Sequence, residues 1–366
     1  MSTPLLEKQP KTLYFSSSKG IGFTYHFSEF ACRIGGDKNF LFLSGELEQF
    51  PGVFSKLNLA DVNRAVIPSL DTSKNVIKHL SLLRDLVKKF NPEIVHTQTN
   101  YQLLLASLLK PFYKFKIIQT IHAFGNSNGG VKMHTTKFYI TIMCMLFAKK
   151  VVFQSFFVQN NFKFLLHKSC NLAMGFETPI KTKLEAPTAP FQVIYAAKFH
   201  DAKNHKWLIE SLEPLLTKNL IRLILPGNGE LFEEVEQIIS DKKLSTQIKL
   251  PGWINRDEMA EYYNKSHLAI VPSKSETLGH NIIEPLAYGI PVISFPVGIA
   301  PDIAKESSAV QVIDFYATDV MLKLVEQFLQ NVAVHEEISK EALRYFNKNL
   351  TWDTHIAKYK KIINEL

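Results

Sequence analysis

Metal-binding and membrane-spanning signals are both missing from this chain. No Asp-x-Asp occurs in its 366 residues, and no grouping of His, Cys and carboxylates has the spacing of a metal site. Chemistry without a metal or a cofactor is expected. The three cysteines, Cys32, Cys144 and Cys170, cannot all pair, so a reduced, cytosolic chain is the expectation. No apolar run reaches the roughly 18–20 residues of a membrane span; the longest, Phe138 to Ala148, stops at Lys149-Lys150. The opening Met-Ser-Thr-Pro-Leu-Leu-Glu shows no signal-peptide pattern. Between Glu93 and Glu177 there is no acidic residue at all.

That acid-free interval holds nine lysines among many Phe, Tyr and Leu. Residues 1–180 carry 21 Lys and Arg against 10 Asp and Glu, and the remainder 21 against 24, so the net charge of +8 belongs to the first half. Such a surface suits an anionic membrane face, or an acidic or lipid-linked acceptor. No nucleic-acid reading motif accompanies the charge, and no nucleic-acid partner is expected. A lysine-rich solvated surface is the plainer alternative.

What is present is an alternation of strands and helices over a length that suits two domains. Lys11–Ser16 reads as a strand, followed by a loop holding Gly20 and Gly22 and a helix from about residue 23 to 33. Further strands are expected at Asn39–Ser44, Ala65–Pro68, Glu93–Gln98, Lys116–His122 and Val151–Ser155, with a helix over Asp71–Phe90. The alternation predicts parallel, doubly wound α/β sheets, with ligands beyond the carboxyl ends of the strands. His122 and His96 stand at such ends. Lys181–Pro190 reads as a linker. A second series then begins: Gln192–Lys198 with Lys203 five residues on, Ile221–Pro226 running into Gly227-Asn228-Gly229, Gln247–Ile254, and Leu268–Ser273.

The chain is organised around Ser275 to Ile293. Glu276 and Glu284 flank a loop-to-helix junction in which Gly279 lets the backbone turn and His280 or Asn281 can cap the helix. Pro285 is expected near the first helical turn, Gly289 at a left-handed stop. The first N–H groups of such a helix favour an anion. Phosphate there would lie between two carboxylate acceptors, as suits a nucleotide sugar. An ordinary helix with a solvated glutamate at each end is the other reading of the same spacing.

Taken whole, Glu276-Thr-Leu-Gly279 followed by Glu284-Pro-Leu-Ala287-Tyr-Gly289-Ile-Pro291-Val-Ile resembles the E-x7-E element of retaining glycosyltransferases of the GT-B fold, family 4, which include glycogen synthases and bacterial surface-polysaccharide sugar transferases. The resemblance implies two Rossmann-like domains facing across a cleft: residues 1–185 for the acceptor, 186–348 for the nucleotide sugar, and a helix over 349–366 returning to the first domain. It implies that Glu276 meets the donor sugar and Glu284 the ribose. Leu278, Gly279 and His280 would present the helix amides. Lys198 and Lys203 stand where the family has an R-x4-K pair on the diphosphate, with Lys in place of Arg. His122, in Thr120-Ile121-His122-Ala123, matches a T-x-H segment beside the donor sugar. Gly20 and Gly22 match a glycine-rich loop, without its usual wording, and Ile254 a backbone contact to the base. The implied function is transfer from a nucleotide sugar to a glycan or lipid-linked acceptor, for lipopolysaccharide, capsule or a similar polymer, on the inner face of the cytoplasmic membrane. An epimerase or phosphorylase on the same fold, and a non-catalytic sugar-nucleotide-binding subunit, are the alternatives.

Overall fold

A computed structural model describes residues 10–16, 29–30, 33–34, 39–44, 63–67, 75–122, 131–179 and 190–366. The chain forms two units, one of residues 1–154, 158–174 and 352–366, the other of residues 155–157 and 175–351. The expected segments Gly20, Gly22, residues 23–28 and 181–189 lie outside the described residues.

The first unit is built on seven parallel strands: β1 Thr12–Ser16, β2 Asn39–Ser44, β3 Asn63–Ile67, β4 Ile94–Thr97, β5 Lys116–Ile121, β6 Ala148–Phe153 and β7 Ser169–Asn171. Their order is β3-β2-β1-β4-β5-β6-β7. The second has β8 Phe191–Ile194, β9 Ile221–Ile224, β10 Ile248–Lys249, β11 Leu268–Val271, β12 Val292–Ser294 and β13 Val310–Val312, ordered β10-β9-β8-β11-β12-β13. Both are the doubly wound parallel sheets expected. Each reverses direction of growth beside its first strand, and the crevice beyond the carboxyl ends at that reversal is where such sheets take ligands. The strands read as unbroken apolar runs because helices cover both faces: Leu268, Ala269, Ile270 and Val271 are all buried.

The helix Val76–Phe90 buries His79, Leu83 and Val87, a repeat of four that keeps one face inward. The expected start at Asp71 lies outside the described residues. The closing helix, Trp352–Asn364, belongs to the first unit, because Trp352, Tyr359, Ile362 and Ile363 share a core with Tyr14, Ile94 and Ile118. The middle stretch of the first unit ends at Met174. Phe176 already donates its N–H to the Leu350 carbonyl at 2.9 Å and so joins the second unit. Residues 155–157 join it too: the Ser155 hydroxyl donates to the Thr277 carbonyl at 2.9 Å, and the Phe156 N–H to Asp302 Oδ2 at 2.8 Å.

Candidate functional site

The loops that leave β8 and β11 meet at the reversal point of the second sheet. The Lys274 N–H donates to the Ala202 carbonyl at 2.8 Å, and Asn204 Nδ2 to the Pro272 carbonyl at 3.2 Å. This stitching brings Lys203 onto Glu276. Oε1 of Glu276 accepts three hydrogen bonds, from Lys203 Nζ at 2.5 Å, Ser273 Oγ at 2.8 Å and Asn281 Nδ2 at 3.0 Å. The two charged side chains are only 23% and 11% exposed, so the pair is held largely out of water. Beneath it the buried Tyr195 hydroxyl lies 2.7 Å from Ser273 Oγ and 3.0 Å from the Lys203 carbonyl. Burial, and then the charge of Glu276, push the Tyr195 phenol well above its ordinary value, so it stays a neutral strut.

The helix after Glu276 runs from His280 to Ala287, and its beginning differs from the expectation. Neither His280 nor Asn281 caps it. Gly279 is the N-cap, at φ 91°, and the Asn281 amide is spent on Glu276 instead. Pro285 lies deep in the helix rather than in its first turn. There it gives up the N–H that another residue would donate to the Asn281 carbonyl. Gly289 takes the left-handed stop at φ 72°, as read.

The Glu276 loop is fixed from behind by Gly298. A Cβ there would stand 2.4 Å from the Leu278 carbonyl oxygen and 3.0 Å from Glu276 Cβ, and φ is 56°. The next N–H, of Ile299, donates to that same Leu278 carbonyl at 2.8 Å. Gly227 and Gly229 act alike on the other loop. Their absent side chains let the turn after β9 press on Ala197 and Phe199, whose carbonyl oxygens a Cβ would meet at 2.0 Å and 2.3 Å.

Lys198 rides on that pressed loop but does not share the Glu276 carboxylate. Its side chain is 67% exposed and its Nζ lies 3.7 Å from Glu230 Oε2, while His200 Nε2 lies 3.5 Å from Glu230 Oε1. Glu284 is half-buried and accepts from the Tyr263 hydroxyl at 2.9 Å. Tyr263 is buried and stacks on Tyr288 at 5.0 Å. Ile254 is half-buried, next to Trp253, which is 72% exposed beyond the left-handed Gly252. Leu278 and Gly279 are buried and His280 exposed, with its ring edge-on to Phe176 at 5.1 Å.

In the first unit His122 ends β5 and is buried, its Nε2 2.5 Å from Gln98 Oε1. An amide oxygen only accepts, so Nε2 carries the proton. Gln98 Nε2 donates onward to His96 Nε2 at 3.1 Å, which leaves the His96 proton on Nδ1, facing the Tyr359 hydroxyl at 2.9 Å. His96 stacks on Tyr359 at 5.4 Å, and burial pushes its pKa down to about 3. His96 is thus a neutral link between the closing helix and His122. A cavity of about 20 Å³, room for roughly one water, is lined by His96, His122, Gln154, His355 and Tyr359 among others. Sequence reasoning missed Gln98, Ser273 and Tyr195, and read Asn281 only as a helix cap. Ser273 and Asn281 stand three before and five after Glu276, a signal visible once the turn is known; nothing local marked Gln98 or Tyr195. Among the described residues, no three His, Cys, Asp or Glu side chains gather to hold a metal ion.

Comparison with known proteins bears on the fold and on the second unit. Residues 176–345 match the family model for glycosyl transferases group 1. A 41.2 kDa protein encoded in the cps region of Klebsiella pneumoniae is 20% identical over 312 residues, 76% of this chain and 81% of that one. The N-acetyl-alpha-D-glucosaminyl L-malate synthase of Bacillus anthracis is 20% identical over 170 residues, 46% of this chain and 44% of the synthase. Most of the curated relatives are, like the synthase, matched over less than half of their own length. The crystal structure of Anabaena HepE in complex with UDP and glucose superposes with a TM-score of 0.77 at 14% identity, covering 98% of this chain and 100% of that one. A likeness at that identity shows the fold. The chain therefore has the GT-B fold, and residues 176–345, within its second unit, match the model for glycosyl transferases group 1.

Proposed function

We propose that the chain moves a sugar from a nucleoside-diphosphate sugar to a glycan or lipid-linked acceptor, with retention at the anomeric carbon and without a metal. The polymer would be a bacterial surface polysaccharide such as lipopolysaccharide or capsule, assembled at the inner face of the cytoplasmic membrane. The Lys203–Glu276 pair, held at the sheet reversal beside a helix N-terminus, carries the reading. The UDP and glucose of the Anabaena complex and the cps origin of the Klebsiella protein support the donor and polymer classes.

In this reading the charge that develops on the departing diphosphate is met by Lys203 and by the first N–H groups of the helix at His280. Lys198, exposed and only loosely paired, swings in from Glu230. Preorganised donors of this kind contribute about 3–4 kcal/mol each in comparable sites. Glu276 has committed Oε1 to three donors, so we assign Oε2 to the sugar hydroxyls. Glu284 takes the ribose and the backbone at Ile254 the base; His122, held in one tautomer by Gln98, takes a hydroxyl of the donor sugar. The new bond from the acceptor oxygen forms on the face from which the phosphate oxygen leaves, and that phosphate oxygen takes the acceptor's proton. The test is a thermal-shift panel of nucleotide sugars, then proton NMR of the product formed with and without EDTA. Retained configuration and unchanged rate with EDTA are expected. An inverted product, loss of rate with EDTA, or an epimerised sugar formed without acceptor would each overturn the proposal.

A further inference from the structure

From residue 137 on, the helix Val131–Phe147 turns a largely apolar face to water. Its inner side is Ile140 and Cys144, both buried. Its outer side carries Phe138, Ile142, Met145 and Leu146, exposed by 68%, 37%, 46% and 69%. Positions 138, 142, 145 and 146 form one stripe along a helix. The short helical segment Lys163–Lys168 extends it. Leu165 of that segment is buried in the same core as Ile140, Lys168 Nζ donates to the carbonyls of Met145 and Ala148 at 2.9 Å and 3.0 Å, and Phe164 is 75% exposed. An apolar patch of this kind on a soluble unit marks a contact surface.

The charge around the patch chooses the contact. Lys149 and Lys163 are exposed beside it, and this part of the sequence holds no carboxylate to neutralise them. Lysine is depleted from protein–protein interfaces, whereas lysines flanking aromatic and aliphatic side chains match the phosphates and acyl boundary of an anionic bilayer. We infer that this face docks on anionic lipid, with the Phe138–Leu146 stripe inserted at headgroup depth and Lys149 and Lys163 on the phosphates. The inference sharpens, and rests on, the membrane location proposed above.

Co-sedimentation of the full chain with phosphatidylcholine vesicles, with and without phosphatidylglycerol, tests it. The chain should pellet with the phosphatidylglycerol vesicles only, and less at high salt. Phe138→Gln combined with Leu146→Gln should weaken binding by roughly tenfold or more at every salt concentration, since each exchange removes several buried methylenes. Lys149→Gln combined with Lys163→Gln should cost about fivefold per lysine and flatten the salt dependence. Failure of the parent to bind phosphatidylglycerol vesicles, or undiminished binding by the apolar variant, overturns the inference. So does a parent dimer that the apolar variant dissociates without any lipid binding, since a second copy would then cover the face. Nucleotide-sugar binding by the same preparations confirms folding. If it fails in the parent while lipid binding persists, the transfer reading falls and the docking face stands.

Discussion

Replacing Lys203 by alanine separates a charge that acts on substrate from one that holds the fold. The change strips one of three donors from Glu276 Oε1 and leaves Ser273 and Asn281 in place. Exposed ion pairs contribute under about 1 kcal/mol, and breaking a fully buried one costs about 3–5 kcal/mol. Side-chain exposures of 23% and 11%, with two hydrogen bonds remaining on the carboxylate, place this loss between those limits, at about 1–2 kcal/mol. For a unit of this size that lowers Tm by a few degrees, at about 2–4 °C per kcal/mol. The catalytic loss should be far larger, about 10²–10³ in turnover, as for other preorganised donors to a developing anion. Initial rates with donor and acceptor, measured beside a melting curve, read both quantities on one sample. Lys203→Arg, which keeps the charge, should recover part of the rate, and Lys203→Met none. Unchanged turnover in Lys203→Ala, or a collapse in Tm that accounts for all the lost activity, would refute the reasoning and leave the lysine a structural partner of Glu276.

Gly298→Ala should cost about 1–3 kcal/mol through backbone strain, and should depress turnover because the Leu278 carbonyl beside it must move; a normal rate in a destabilised protein would detach Gly298 from the site. Gln98→Leu leaves the Nε2 proton of His122 without its acceptor, at a cost of about 1–3 kcal/mol, and should raise KM for the donor sugar. An unaltered KM would show that the ring needs no holding. Acid should destabilise the chain through its buried histidines. His205 and His355 are pushed down to about 4 and His96 to about 3, mainly by burial, so the unfolded chain binds more protons than the folded one below about pH 6.5. Stability present above that pH is lost as pH falls toward 4, by about 3 kcal/mol per histidine at the limit. Urea titrations across this window should show the slope, and His355→Gln should flatten it; a pH-independent midpoint would contradict the burial argument.

Much of this protein is legible in one dimension. The two series of strands are apolar runs bounded by turn residues, because a parallel sheet covered on both faces leaves no polar alternation to read. The stops and turns at Gly279 and Gly289 follow from backbone sterics alone. The fivefold spacing from Lys198 to Lys203 and the eightfold spacing from Glu276 to Glu284 mark a loop and a helix entry without any structure. What the sequence could not decide is which groups share an atom. Lys203 and Glu276 are far apart in the chain and meet only because β8 and β11 are neighbours at the reversal of the sheet. The β8–β9 pairing sends Lys198 to Glu230, and the β11–β12 pairing puts Gly298 behind the Glu276 loop. His122 likewise owes its proton position to Gln98, just beyond the neighbouring strand β4, and His96 to Tyr359 on the closing helix. Local spacing determines elements and their ends; the order of strands, which no local spacing encodes, decides the partners.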